Sequence, residues 1–333
     1  MRLARPLLAA VAVVGLALPL TACSSDEGLV IYSGRAEGLV GPLFEQFTQD
    51  TGIKVTVRYG GTAELAALLQ EEGEASPAGV FLSQDAGALG AVSAAGLLAP
   101  IGADVLDRVD AEYRGTNDDW IGVTGRARVI AYDSGQLAEG DVPGTVFDLT
   151  DPKRQGQVGI APNNASFQTF VTAMRLAEGE DVAEQWLTDI QANGAKSYES
   201  NVLILDAVDR GEIQLGLINH YYWYEAAAEK GEDALNARIA FTEPGDPGSL
   251  VNVSGVGILD AENPDAAALV DYLLGVEAQT YFATTNFEYP LIDEVPPADG
   301  LPALADLQGP DVALNDLDSL AETQAMLQRV GLI

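Results

Sequence analysis

The sequence has 333 residues, and its 17 lysines and arginines stand against 50 aspartates and glutamates, which gives a formal net charge of −33 at pH 7. This charge argues against nucleic acid and anionic lipid surfaces as partners, because both are bound through clusters of lysine and arginine. A chain that is 47% hydrophobic and only 20% charged is nevertheless expected to fold, and its length predicts about two domains.

The N-terminal segment has the features of a secretory signal. Two arginines precede an apolar run over residues 7–20, which is shorter than the ~20 residues that span a bilayer. The run ends in Leu20-Thr21-Ala22-Cys23, which resembles the lipobox of bacterial lipoproteins. We expect a signal peptide over residues 1–22, lipidation of Cys23 and a tether over residues 23–28; the alternative is a cysteine that follows an ordinary cleavage site by chance. A single cysteine also excludes an internal disulfide, a thiolate zinc site and an iron–sulfur cluster.

Apolar runs then alternate with amphipathic stretches. The pattern predicts strands at residues 29–33, 53–59 and 80–83, separated by helices. Such alternation is typical of a parallel α/β sheet, in which ligands bind beyond the carboxyl ends of the strands. The first strand ends at Tyr32-Ser33-Gly34-Arg35 and the third at Ser83-Gln84-Asp85, so these two turns are expected to contact a ligand.

The next part of the chain repeats the alternation. A predicted strand over residues 120–132 carries Arg126 and Arg128 on one face, because side chains two apart in a strand point the same way. These arginines either add positive potential to a cleft or form an ion pair between lobes. Further strands are expected at residues 158–161 and 213–218, helices at 167–176, 181–192 and 201–208, and an apolar stretch at 250–259 that returns the chain to the first lobe. Two α/β lobes with a ligand between them fit this order.

Aromatic side chains are concentrated between Asn219 and Tyr224, directly after a predicted strand. Tyr221 and Tyr222 converge only where a strand passes irregularly into a helix, and Asn219, a good N-cap residue, places such a junction here. Two phenol oxygens that meet suit a hard, highly charged cation. The alternative is an aromatic helix face packed under a lobe. His220, the only histidine, is expected behind the site or exposed rather than as a ligand.

Short motifs recur in a fixed order along the chain. In order, they are Val30-Ile31-Tyr32-Ser33-Gly34-Arg35, Gln70-Glu71-Glu72-Gly73, Ser93-Ala94-Ala95-Gly96-Leu97-Leu98, Gly125-Arg126-Ala127-Arg128-Val129-Ile130-Ala131-Tyr132, Tyr198 with Asn201, Asn219 with Tyr221-Tyr222-Trp223, Ser254-Gly255 and Glu288-Tyr289-Pro290. In these motifs the chain resembles the periplasmic ferric-ion-binding proteins of bacterial ABC iron importers, over nearly all of its mature sequence.

The resemblance implies an α/β fold of the type II periplasmic-binding-protein class, with two lobes, a ligand cleft between them and a hinge of crossover strands. It also implies one Fe³⁺ ion bound with a synergistic anion, and its iron-binding tyrosines correspond to Tyr221 and Tyr222. In one branch of the family a histidine stands at the place of Ala36 and a glutamate at that of Gln84. Another branch has an arginine at the place of Arg35 and a third tyrosine at that of Asn164. Only the arginine is present here.

The resemblance therefore leaves two confident iron ligands, and the anion, carbonate or similar, must supply more donors. Arg35 is the expected anchor of that anion, since its planar fork matches a bidentate oxyanion; the alternative is a solvated salt bridge to Glu37. The other residues expected to bind the anion or to support the site are Ser33, Gln84, Asp85, Asn164, Asn201 and Asn219.

The implied function is the extracytoplasmic substrate-binding component of an ABC importer, a monomer that delivers Fe³⁺ to a permease and its ATPase. Cys23 would anchor it to the bacterial cytoplasmic membrane. Two alternatives are a receptor of the same fold for an organic anion or iron chelate, and a secreted α/β hydrolase; no nucleophile–base pair supports an enzyme. The expected lobes are residues 29–115 with 250–300, and residues 116–249 with 301–333.

Overall fold

The computed structural model describes residues 28–333, so Cys23 and the predicted signal peptide lie outside the described residues. The strands in this part of the chain are β1 Leu29–Ser33, β2 Val55–Tyr59, β3 Val80–Ser83, β4 Trp120–Asp133, β5 Val158–Ile160, β6 Lys196–Ser197, β7 Leu215–Asn219, β8 Ala237–Ala240, β9 Val251–Ile258 and β10 Tyr289–Pro290. The α-helices are α1 Glu37–Thr51, α2 Thr62–Glu72, α3 Ala86–Ala94, α4 Ala103–Leu106, α5 Ala165–Glu178, α6 Glu180–Ala192, α7 Asn201–Asp209, α8 Tyr221–Lys230, α9 Pro264–Leu273, α10 Val276–Thr284 and α11 Leu320–Val330.

The strands hydrogen-bond in the order β2-β1-β3-β9-β4-β7-β5-β6, with β8 and β10 also paired to β4. β1, β2 and β3 are parallel neighbours, and so are β5, β6 and β7. Between these two groups β9 and β4 run antiparallel. The predicted alternation of strands and helices is therefore confirmed in both halves of the chain.

The long strand β4 joins the two halves. Its residues from Trp120 to Ala127 pair with β9, and those from Arg128 to Tyr132 pair with β7. One continuous strand thus leaves the first group of strands and enters the second, as a crossover hinge requires. We refer to the part around β1–β3 as lobe 1 and to the part around β5–β7 as lobe 2.

Each lobe has its own apolar core. Phe47, Phe81 and Leu89 belong to the core of lobe 1, while Phe170 and Trp186 belong to one of the two clusters that cover the sheet of lobe 2. Separate cores allow the lobes to move as units about the hinge strands. None of the helices within residues 28–333 combines the length and the apolar character that a membrane span needs.

The expected division of the chain into lobes remains a proposal, which the packing refines at two places. Trp120 and Ile121, which were expected in lobe 2, pack in the core of lobe 1 because β4 starts there. Within the C-terminal segment, Leu314 and Leu317 also pack in the core of lobe 1. Helix α11, in contrast, packs on lobe 2 through Met326 and Leu327. We therefore place the crossing near residue 127 and assign residues 301–333 to both lobes.

The turn after β1 is held close to helix α2. A Cβ atom added to Gly34 would lie 2.0 Å from Thr62 Oγ1, so only glycine allows this approach. The Gly34 N–H donates to the carbonyl of Leu82 at 2.8 Å, and Thr62 Oγ1 accepts from the N–H of Gln84 at 3.2 Å. The carboxyl ends of β1 and β3 are therefore fixed side by side, where the sequence predicts ligand contacts.

Candidate metal centre

Two adjacent tyrosines lie at the junction of β7 and α8. β7 ends at Asn219, His220 has helical backbone angles, and α8 begins at Tyr221. The rings of Tyr221 and Tyr222 are brought together by this junction, with centroids 4.1 Å apart and planes inclined by 34°. The N-cap position belongs to His220 and not, as expected, to Asn219, because Asn219 completes the strand and its side chain accepts a hydrogen bond from Arg128 at 3.4 Å. We refer to Tyr221 and Tyr222 as the tyrosine pair.

The hydroxyl of Tyr221 is buried and makes no hydrogen bond of good geometry in the described part of the chain, although Arg35 and Tyr222 lie close enough to interact with it. Burial, and then the neighbouring Tyr221, raise the pKa of Tyr222 well above its ordinary value. The Tyr222 phenol is therefore protonated at neutral pH. A buried hydroxyl without a partner is unfavourable in a packed aromatic face. The tyrosine pair thus fits a metal ion better than it fits a purely structural role.

Arg35 follows β1 and lies beside the pair. Its Nη2 donates to Oε1 of Glu288 at 2.6 Å, and both side chains are buried. The other carboxylate oxygen of Glu288 accepts from Thr124 Oγ1 at 3.0 Å, and the guanidinium carbon lies 5.8 Å from the centroid of the Tyr221 ring. Burial disfavours the charged form of Arg35, but Glu288 and the tyrosine pair outweigh it, so the pKa is raised. A solvated bridge to Glu37 is therefore the wrong alternative.

Two arginines of β4 complete the positive charge at the centre. Arg126 donates to the carbonyl of Gln84, and Arg128 donates to Ser166 Oγ at 3.1 Å. Burial lowers the pKa of both, to about 9 for Arg128, and the nearby Arg35 lowers that of Arg126 further. Neither forms a salt bridge with any residue between 28 and 333, so the interlobe ion pair is not formed. We refer to Arg35, Arg126 and Arg128 as the arginine cluster.

The remaining predicted residues of lobe 1 are bound within their own turns. Ser33 Oγ donates to the carbonyl of Arg35 at 2.9 Å. Asp85 Oδ1 accepts from the N–H of Ala88 at 2.9 Å and so caps helix α3. Gln84 is half-buried and lines the cleft between the lobes. Of these three residues, only Gln84 has a side chain without a hydrogen-bond partner within residues 28–333. All three stay predictions as ligands of the anion.

The three predicted asparagines lie together in lobe 2. Asn164 Oδ1 accepts from the N–H and the hydroxyl of Ser166, at 3.0 and 2.6 Å, and caps helix α5. Asn201 donates to Ser166 Oγ at 3.2 Å, while its own Oδ1 is buried without a partner in residues 28–333. Since Arg128 donates to both Ser166 and Asn219, one polar network joins the asparagines to the arginine cluster.

His220 is buried and fully hydrogen-bonded. Its Nδ1 accepts from the N–H of Ala127 at 3.1 Å, and its Nε2 donates to the carbonyl of Phe287 at 2.7 Å. Burial lowers its pKa to about 4, so the ring is neutral at pH 7. Because both ring nitrogens are hydrogen-bonded to the backbone, His220 lies behind the tyrosine pair. This is one of the two placements expected from the sequence; the other was an exposed position.

A cleft of about 570 Å³ lies between the lobes. Its walls come from the start of α2 and from Gln84 on one side, from the start of α5 on the other, and from the C-terminal helix. Within residues 28–333 no group of three or more histidines, cysteines, aspartates and glutamates is arranged to hold a metal.

Two acidic residues near the pair were missed as site residues by sequence reasoning. Glu288 was noticed only as part of the Glu288-Tyr289-Pro290 motif. Glu225 lies one helical turn after Tyr221, where burial and then Glu288 raise its pKa to about 7. The four-residue spacing from Tyr221 could have indicated Glu225, since such residues share a helix face. The link between Arg35 and Glu288 had no local signal, because the two are distant in sequence.

Comparisons with known proteins identify the family and the fold. Residues 75–313 match the family of bacterial extracellular solute-binding proteins. A Fe(3+)-binding periplasmic protein of Serratia marcescens is 35% identical over 316 residues, covering 94% of this chain and 93% of that protein. A major ferric iron-binding protein of Neisseria gonorrhoeae is 34% identical over 325 residues, covering 95% and 97%. The crystal structure of iron-bound HitA from Pseudomonas aeruginosa gives a TM-score of 0.87 at 36% identity, covering 92% of this chain and 99% of that one. The two-lobe type II periplasmic-binding-protein fold is therefore confirmed.

Proposed function

Because this chain belongs to the ferric-ion-binding proteins among the bacterial extracellular solute-binding proteins, we propose that it captures Fe³⁺ through the phenol oxygens of Tyr221 and Tyr222. Its relatives are solute-binding transport proteins, so its role is substrate binding in iron uptake outside the cytoplasm, and not catalysis. The secreted-hydrolase alternative is thereby set aside.

The observation that carries the proposal is the buried hydroxyl of Tyr221 without a hydrogen-bond partner among residues 28–333, next to the ring of Tyr222. A hydroxyl in this position gains a partner when a cation replaces its proton. Fe³⁺ is a hard cation of high charge, and phenolate oxygen is a ligand that suits it. The pair supplies two donors, so further donors must come from a synergistic anion or water.

The charges of the centre favour an oxyanion. The three guanidinium groups of the arginine cluster are offset by two buried carboxylates, those of Glu288 and Asp85. Adding Fe³⁺ and two phenolates leaves two positive charges when Glu225, whose pKa is raised to about 7, is protonated and one when it is ionised, and buried charge is stable only when it is matched. Carbonate or a similar oxyanion beside Arg35 would match it and would also supply oxygen donors, in place of the ligands that Ala36, Gln84 and Asn164 do not provide.

Delivery follows from the class of protein. We propose that the loaded monomer docks on an ABC permease, whose ATPase drives import, and that lipidated Cys23 holds the protein at the outer face of the cytoplasmic membrane. Several acyl chains on one residue give stable anchoring, whereas a single chain gives only marginal binding.

Titration of the iron-free mature protein with ferric nitrilotriacetate in bicarbonate buffer tests the iron site. The expected result is a visible phenolate-to-iron charge-transfer band that saturates at one iron per chain. Tyr221→Phe and Tyr222→Phe should each lose most of the band and of the affinity, because each removes a ligand and keeps the ring. The matched control is Tyr32→Phe, whose hydroxyl contacts Glu72 in lobe 1. Full colour and affinity in both pair variants would refute the proposal.

The same titration separates the remaining alternative, a receptor for an organic anion or an iron chelate. Native mass spectrometry of the loaded protein should show iron with bicarbonate-derived anion and without the chelator. A chelator retained at one copy per iron, with no phenolate band, would favour the chelate receptor instead.

A further inference from the structure

The side chain of His220 continues the hydrogen bonding between β7 and β4 by one residue, at the point where β4 changes lobes. β7 ends at Asn219, opposite Arg128, and the chain then turns into α8. The next residue of β4 is Ala127, whose carbonyl accepts from the N–H of His220 at 3.0 Å and whose N–H donates to Nδ1 of the ring at 3.1 Å. A buried backbone N–H needs an acceptor, and here the imidazole supplies it.

The other ring nitrogen of His220 binds the segment that follows α10 in lobe 1. Nε2 donates to the carbonyl of Phe287 at 2.7 Å. Phe287 has a φ of 55°, in the left-handed region that residues other than glycine rarely adopt. Its ring stacks on that of Tyr224 in α8, with centroids 5.9 Å apart and planes inclined by 24°. Two contacts from lobe 2 therefore hold an unfavourable backbone conformation of lobe 1 in place.

His220 thus lies on a short route between a tyrosine of lobe 2 and an arginine of lobe 1. On one side, a peptide bond joins it to Tyr221. On the other side, a peptide bond joins Phe287 to Glu288, whose carboxylate accepts from Arg35 at 2.6 Å. Two hydrogen bonds and two peptide bonds therefore connect Tyr221 to Arg35 through His220.

We infer that His220 is a positioning residue for iron capture, which fixes the tyrosine pair relative to Arg35 and Glu288 without binding iron itself. The inference rests on the proposed function, because it concerns the geometry of the ligands proposed there. A neutral imidazole accepts at one nitrogen and donates at the other, as the backbone groups of Ala127 and Phe287 require. Phenols that are held in place before iron arrives lose less freedom on binding it. Loss of these hydrogen bonds should therefore weaken iron binding even where the fold persists.

Substitutions of His220 separate positioning from general stability. His220→Phe keeps an aromatic ring and loses both hydrogen bonds, whereas His220→Gln keeps an acceptor and a donor. In the titration with ferric nitrilotriacetate and bicarbonate, His220→Phe should bind Fe³⁺ at least about tenfold more weakly than wild type, with a shifted phenolate band, and His220→Gln within about threefold of it. The matched control is Trp223→Phe, which removes another hydrogen bond of α8, from Nε1 to the carbonyl of Ala237 at 2.7 Å. This control should keep the wild-type affinity and band.

A double-mutant cycle tests the route to Arg35. In the Arg35→Ala background His220→Phe should weaken binding by no more than about threefold, because the far end of the route is already missing. Phe287→Gly, which permits the same backbone angle but removes the ring stack, is the second variant if His220→Phe does not fold. It should weaken iron binding by at least about threefold.

Three outcomes would overturn the inference and leave the proposed function standing. In the first, the variant that tests the route, His220→Phe or in its place Phe287→Gly, binds iron and absorbs like wild type. In the second, Trp223→Phe weakens binding as much as His220→Phe does. In the third, the effects of His220→Phe and Arg35→Ala simply add. A wild type without a phenolate band would refute the proposed function and this inference together.

Discussion

Replacing Tyr221 by phenylalanine should stabilise the iron-free protein while it destroys iron binding. The Tyr221 side chain is 0% exposed, and its hydroxyl has no partner within residues 28–333. A buried polar group left unsatisfied costs about 1–3 kcal/mol, so its removal should raise the free energy of unfolding by about 1 kcal/mol. Tyr32→Phe is the opposite case, because that buried hydroxyl lies 3.1 Å from a Glu72 carboxylate oxygen. Its loss should lower stability by about 1 kcal/mol.

Thermal unfolding of the three proteins, with and without saturating Fe³⁺ and bicarbonate, measures both effects. Ligand that binds the folded state alone raises the midpoint, so wild type and Tyr32→Phe should rise with iron and Tyr221→Phe should not. The order of stability without iron should therefore reverse between wild type and Tyr221→Phe once iron is added. The reasoning is refuted if Tyr221→Phe is destabilised without iron as much as Tyr32→Phe, or if it keeps the full shift with iron.

Three further predictions concern pH, the anion and the membrane. Since burial holds the pKa of His220 at about 4 against about 6.5 in the unfolded chain, acid stabilises the unfolded state; chemical denaturation from pH 7 to 4.5 should cost wild type about 2 kcal/mol more than His220→Gln, and equal losses would contradict this. Arg35→Ala should weaken ferric binding and abolish its response to bicarbonate, with partial recovery in Arg35→Lys, whereas tighter binding would show that simple charge attraction dominates. Cys23→Ala should move the protein from the membrane fraction to the medium or leave it unprocessed, and unchanged fractionation would exclude lipid anchoring.

The fold was largely predictable because local patterns dominate it. The bounds of β1 and β3 coincide with the apolar runs that predicted them, and a glycine or a capping residue ends or begins most neighbouring helices. The junction at Tyr221 was also predictable, since two adjacent aromatic residues converge only where the periodicity changes. The N-cap residue of this helix was not predictable, because the side chain of Asn219 accepts a hydrogen bond from Arg128 and does not cap the helix.

The electrostatics of the centre could not be predicted from local pattern. The sequence places Arg35 and Glu288 far apart, and only the return of the chain through β9 to lobe 1 brings them within 2.6 Å. Likewise, two arginines on one strand face are equally consistent with an ion pair between the lobes and with added positive potential in a cleft. Which of the two applies depends on the groups that each arginine contacts in the folded protein, and those contacts are set by the path of β4 between the lobes.

The same unsatisfied groups explain why closure should require a ligand. Lobe 1 and the chain's return to it provide Arg35 and Glu288, lobe 2 provides the tyrosine pair, and the hinge strand provides the other two arginines. When these parts meet, the Tyr221 hydroxyl and the free N–H groups of the hinge arginines are removed from water without gaining partners. Each such group costs free energy when it is buried without a partner, and a ligand that supplies the partner would offset that cost. Under the proposed function, Fe³⁺ would supply the partner of the Tyr221 oxygen and the accompanying oxyanion would match the charge of the arginine cluster, so we expect the two together to favour closure more than either alone.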